Sequence, residues 1–80
     1  METGFSQVLA SIDRHLAEAG SDRSKLLTVT IWLADMGHFD EMNAAWDAWV
    51  DRDNLPARAT VEARLASPAY AVEISGIAAL

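Results

Sequence analysis

Arg58 follows Pro56-Ala57, at the start of an alternating run, and so projects from the mouth of a loop where a ligand can enter. Its planar guanidinium offers five N–H donors in a fixed fork that suits a carboxylate. A charge-assisted pair of that kind is worth about 1.5–3 kcal/mol. Glu73, on the polar side of a later alternating run, can hold and polarise a water molecule. Two readings of these residues stand side by side: an anion clamp with a water-holding carboxylate, or an ordinary cross-strand ion pair between Arg58 and Glu73. Glu62 and Arg64 belong to a run of alternating signs and read as solvated or interface charges, and Asn43 as a locally bonded amide. His15 and His38 have no ligand-spaced neighbours and read as solvent-facing, and Trp46 and Trp49 read as core. The serines lack a G-x-S-x-G setting, and no glycine-rich loop joins a strand to a helix.

The elements that must position these residues are legible from periodicity. Phe5, Val8, Leu9, Ile12 and Leu16 form one helical stripe, with Thr3 as N-cap and Gly20 as the left-handed residue after the end, so a first helix is expected from about Gly4 to Ala19. Leu26 to Ala34 alternates as a strand with Leu27, Val29, Ile31 and Leu33 on its apolar side. Phe39, Met42, Trp46, Trp49 and Val50 give a second helix, with Asp40 and Glu41 in its first turn, where the helix dipole favours anions. Ala57 to Leu65 and Tyr70 to Ala78 alternate sharply and read as a β-hairpin around the turn Ala66-Ser-Pro-Ala69. The expected architecture is an α/β (α+β) domain over residues 1–80, with two helices on one face of a three-stranded sheet. The apolar sides of all three strands would face the helices. The other face would carry Thr28, Thr30, Trp32, Arg58, Thr60, Glu62, Glu73 and Ser75, together with Ile77.

Composition narrows the functions. A chain of 80 residues buries only about 60% of its unfolded surface, and with no cysteine and two histidines the expected supplement is self-association. A net charge of −6 argues against nucleic acid or an anionic membrane as partner. The apolar runs are too short to span a bilayer and no signal segment leads the chain, so the expected location is the cytoplasm.

Three runs, Thr30-Ile-Trp-Leu-Ala-Asp-Met-Gly-His-Phe-Asp-Glu-Met-Asn43, Pro56-Ala-Arg-Ala-Thr-Val-Glu62 and Val72-Glu-Ile74, resemble in order and spacing the signature of the Rid/YjgF family of imine deaminases. The likeness extends from about Gln7 to Leu80. It implies a chorismate-mutase-like two-layer fold with a small mixed sheet and a homotrimer with sites between subunits. It also implies cofactor-free hydrolysis of 2-imino acids such as 2-iminopropanoate to 2-oxo acids and ammonia. By the same resemblance Arg58 binds the substrate carboxylate, Glu73 positions water, and Asn43 and Thr60 line the substrate. Thr60 stands where many members have a cysteine, keeping a small polar side chain but not thiol chemistry. The family's N-terminal strands, which bring a tyrosine and a serine to the site, have no counterpart before Phe5, and a shortened, weakened member is the expectation. Two rivals are an endoribonuclease, against which the charge counts, and a non-catalytic oligomeric or regulatory protein.

Overall fold

The computed structural model describes residues 4–67, 69 and 71–80. Helix α1 spans Gly4–Glu18, strand β1 Leu26–Leu33, helix α2 Phe39–Trp49, strand β2 Ala57–Glu62 and strand β3 Val72–Ala78. Short 3-10 turns at Arg23–Lys25 and Met36–His38 precede β1 and α2. The expected N-cap Thr3, the hairpin-turn residue Pro68 and the strand residue Tyr70 lie outside the described residues.

Each helix forms where its stripe lies. Phe5 and Leu9 of α1 and Met42 and Trp46 of α2 are buried, and they join Leu26, Val29, Ile31, Leu33 and Val50 in one core. Gly20 ends α1 with a φ of +82°; its N–H donates to the Ala17 carbonyl (3.1 Å) and that of Ser21 to the Leu16 carbonyl (2.8 Å). This is a Schellman motif, and it needs a residue that enters the left-handed region without strain. A second clip was not visible in the sequence. Arg23 donates to the Asp13 carboxylate (2.8 Å) and to the Trp49 carbonyl (2.6 Å), and the Trp49 indole N–H donates to the same Asp13 oxygen (2.8 Å). One carboxylate and one guanidinium thus tie α1, the turn before β1 and the free carbonyl end of α2.

The sheet corrects the hairpin. Its order is β2-β1-β3, with β1 parallel to β2 and antiparallel to β3, so the two segments expected to pair lie on opposite edges. β1 supplies four of the nine core residues, and the middle of the sheet is where such a strand has both edges paired. α2 is the crossover that a parallel β1/β2 pair requires. The connection over 63–71 then carries the chain across to the far side of β1, a distance that hairpin loops of about two to five residues do not serve.

The register corrects two facings as well. Arg58, Thr60 and Glu62 pair with Val29, Ile31 and Leu33, so the polar side of β2 lies on the helix side, not on the open face. The open face carries the rows Ile77–Thr28–Ala57, Ser75–Thr30–Ala59 and Glu73–Trp32–Val61. At the start of β1 the register slips between Leu26 and Thr28; Leu26 is buried and Leu27, expected inside, is 59% exposed. An extra residue in a strand reverses the alternation across it.

Candidate functional site

α2 runs back across the sheet from the end of β1 to the start of β2, so its side chains meet those of β2 in reverse order. Near the start of β2 this brings Arg58 to Trp46. The guanidinium carbon lies 5.3 Å from the centroid of the Trp46 ring, which is buried in the core on its other sides. Such a cation–π contact holds the long side chain at a fixed height, and is worth about 0.5–2 kcal/mol depending on exposure. Among the described residues no carboxylate pairs with Arg58; the ion pairs there are His15–Glu18, Arg23–Asp13 and Arg52–Asp47. The alternative of an Arg58–Glu73 cross-strand pair is thereby overturned, because β1 stands between the two strands and the two side chains lie on opposite faces.

Beyond Arg58 on the same side of β2 is Thr60, and one turn before Trp46 on α2 is Asn43. The Thr60 hydroxyl and the Asn43 amide oxygen are both buried without a hydrogen-bond partner. A buried polar group left unpaired costs about 1–3 kcal/mol, so each of these oxygens would gain from a donor brought to it. The guanidinium has five N–H donors and no acceptor, so the chemistry it suits is that of an anion. Each of the two oxygens can accept an N–H or O–H group.

Glu62 ends the row. Its carboxylate, read from the sequence as a solvated or interface charge, accepts the Met36 N–H (2.8 Å) while Asp35 accepts that of Gly37 (2.8 Å). These bonds pin the turn from which α2, and with it Asn43, departs. Glu73 is exposed on the open face in the row with Trp32 and Val61, away from this group. His15 and His38 are exposed as expected. No group of three or more histidine, cysteine or acidic side chains that could hold a metal ion occurs among the described residues, and no helix among them is long and apolar enough to cross a membrane. The residue that spacing alone assigned wholly to the core is Trp46. Its place in the helical stripe carried no signal of the contact with Arg58.

Fold and site together define a two-layer α+β protein, with an arginine over Trp46 on an edge strand and two unpaired buried oxygens, that of Thr60 on the strand and that of Asn43 on the helix above it. The chain belongs to the RutC/YjgF family: the family described as Endoribonuclease L-PSP matches residues 1–80. A RutC family protein of Haemophilus influenzae is 53% identical over 72 residues, 90% of this chain and 62% of that one. A solved YjgF-family structure from Neisseria meningitidis is 55% identical with a TM-score of 0.90, over 92% of this chain and 62% of that one. A Rid-family protein of unknown function from Yersinia pestis superposes with a TM-score of 0.87 at 30% identity, over 95% of this chain and 60% of that one. The chain thus spans about 60–62% of the length of these relatives.

Proposed function

We propose that this chain acts on small 2-imino acids, hydrolysing them to 2-oxo acids and ammonia. The observation that carries this reading is the Arg58 guanidinium, with no carboxylate partner among the described residues and its carbon 5.3 Å over the Trp46 ring. It lies on the same side of β2 as the unsatisfied Thr60 oxygen, and Trp46 is one helical turn from the unsatisfied Asn43. A 2-imino acid offers both complements, a carboxylate for the fork and an imino N–H for the oxygens. In the reaction, water adds to the imine carbon as the C=N bond becomes a C–N bond and the nitrogen takes a proton. The carbinolamine then expels ammonia and leaves the 2-oxo acid. Arg58 orients the carbon by its carboxylate, and Asn43 and Thr60 hold the nitrogen for protonation. No step calls for a cofactor.

Glu73 enters this scheme only from a second copy, because within one chain it faces away from Arg58. A homotrimer with sites between subunits supplies that geometry, and the apolar open face, with Val61 43% and Ile77 62% exposed, supplies the surface for it. The cytoplasm is the location consistent with a substrate of this kind. An endoribonuclease, the activity in the family's name, would need a basic track for a phosphate backbone, and a chain of net charge −6 favours a small guest instead.

The test is ammonia release from freshly generated 2-iminopropanoate. Arg58→Lys keeps the charge but loses the planar fork and its stacking, and is expected to lower the rate at least about tenfold with unchanged circular dichroism. Parental activity in that variant would remove the carboxylate clamp.

A further inference from the structure

The two edges of the sheet differ in how they are protected. β2 follows Pro56 and carries Arg58 and Glu62, whereas β3 has no proline and no basic residue, and Glu73 is its one charge. Among the described residues the outer edge of β3 meets no other strand. The Ala34 N–H donates to the Ala71 carbonyl (3.0 Å) and the Ala79 N–H to the Lys25 carbonyl (2.9 Å), so the backbone groups at both ends of β3 turn toward β1 at odd-numbered positions. By alternation those of Glu73, Ser75 and Ile77 do the same, and those of Val72, Ile74, Gly76 and Ala78 point outward along the free edge.

We propose that this edge takes a second copy of the chain, the two β3 strands pairing antiparallel about a two-fold axis at Ser75. Ser75 is the middle residue of Val72–Ala78, so that axis pairs the strand over its whole length. Each outward-pointing residue then meets another. Val72 lies opposite Ala78 of the second copy and Ile74 opposite its Gly76, and each such pair exchanges two N–H···O=C bonds. On the open side Glu73 falls opposite Ile77, and Ser75 opposite Ser75. The two Glu73 carboxylates are thereby kept roughly 13 Å apart along the strands, where an axis at Glu73 would set them side by side. Gly76 fits the same register. Its φ is not positive, and a Cβ there would meet Leu26, Thr28 and Val29 at 3.4, 3.5 and 3.6 Å, ordinary contacts, so the single chain makes no demand for a glycine. Opposite Ile74 of the second copy it leaves room for that side chain beneath α1, beside Ile12 and Leu16, which one chain leaves half-buried. The pairing uses the edge of the sheet and not its open face, so it is independent of the imine reading and of the trimer.

The chain has no cysteine, so single introduced thiols can read the register. Directly opposed residues whose backbone groups turn away from the shared edge have Cα atoms about 4.5 Å apart, within the span of about 4.4–6.8 Å that a disulfide bridges. With oxidised glutathione as oxidant, Ser75→Cys is expected to give a disulfide-linked dimer at least about tenfold faster when folded than in urea. Glu73→Cys alone and Ile77→Cys alone should link slowly, and an equimolar mixture of the two should link as fast as Ser75→Cys. The mixture also gives the answer if the Ser75 variant does not fold, with circular dichroism as the check on each. Linking of Ser75→Cys no faster folded than unfolded would overturn the proposal. So would a mixture that links no faster than its separate components, which is the result expected if copies meet only through the open face.

Discussion

β3 turns Val72, Ile74 and Ala78 toward the helices and leaves Glu73, Ser75 and Ile77 outside, whereas β2, on the other edge, turns Arg58, Thr60 and Glu62 to the helix side and leaves Ala57, Ala59 and Val61 outside. Both strands alternate equally well. They differ in what they can bury. The apolar residues of β2 are two alanines and a valine, so pointing them outward forfeits little area, while those of β3 include Ile74, which packs against the core. The polar side of β2 tolerates its position because α2 overhangs an edge. Arg58 sets its guanidinium over Trp46 and stays partly exposed. An edge strand poor in large apolar side chains is therefore free to offer its polar side to a site, and a strand that fills the core is not.

That contrast can be broken by truncation. Ile74→Ala on β3 is expected to destabilise the chain by about 2–3 kcal/mol, and Val61→Ala on β2 by less than about 1 kcal/mol, in urea unfolding of dilute protein. A larger loss at Val61 would mean that the apolar side of β2 is the buried one. The orphan hydroxyl sharpens the comparison. Thr60→Val keeps the shape and removes an unpaired buried oxygen, so it is expected to stabilise by about 1 kcal/mol while abolishing any imine hydrolysis that depends on it. The matched change on the open face, Ser75→Ala, should lie within about 0.5 kcal/mol of the parent. Destabilisation by Thr60→Val would show that the hydroxyl has a partner in solution.

The smallest effect expected lies outside both strands, at the turn before β1. Asp22 accepts hydrogen bonds from the Ser24 hydroxyl and from the Ser24 N–H (2.9 Å), and these bonds, the hydroxyl first, hold its carboxyl below the usual aspartate value. A depressed folded-state value contributes stability that is present above the unfolded value and is lost as the pH falls through the folded one. The parent should therefore lose stability faster than Asp22→Asn below about pH 4, with the two curves parallel near neutrality. Parallel curves throughout acid pH would show the cap to be open in solution.

Of the candidate site, Arg58 was read from its residue type and place after Pro56-Ala57, and Asn43 and Thr60 from resemblance alone; Arg58 and Thr60 lie on the helix side of β2, and Asn43 one turn from the Trp46 beneath Arg58. Glu73 was named with them but lies on the other face. Trp46 as the platform for Arg58 was missed, because a tryptophan in a helical stripe gives no sign of what lies on its free edge.

What the sequence by itself determined was local. The stripe from Phe5 to Leu16, the left-handed stop at Gly20, the acidic first turn at Asp40 and Glu41 and the alternation of all three strands follow from backbone geometry within a few residues. Tertiary structure alone decided that β1 takes the centre, that β2 and β3 part to opposite edges, and that β2 faces Arg58 toward α2. The physical reason is symmetry. An alternating strand looks the same from either side, and only distant contacts, here the burial of β1 and the stacking of Trp46, distinguish one face from the other.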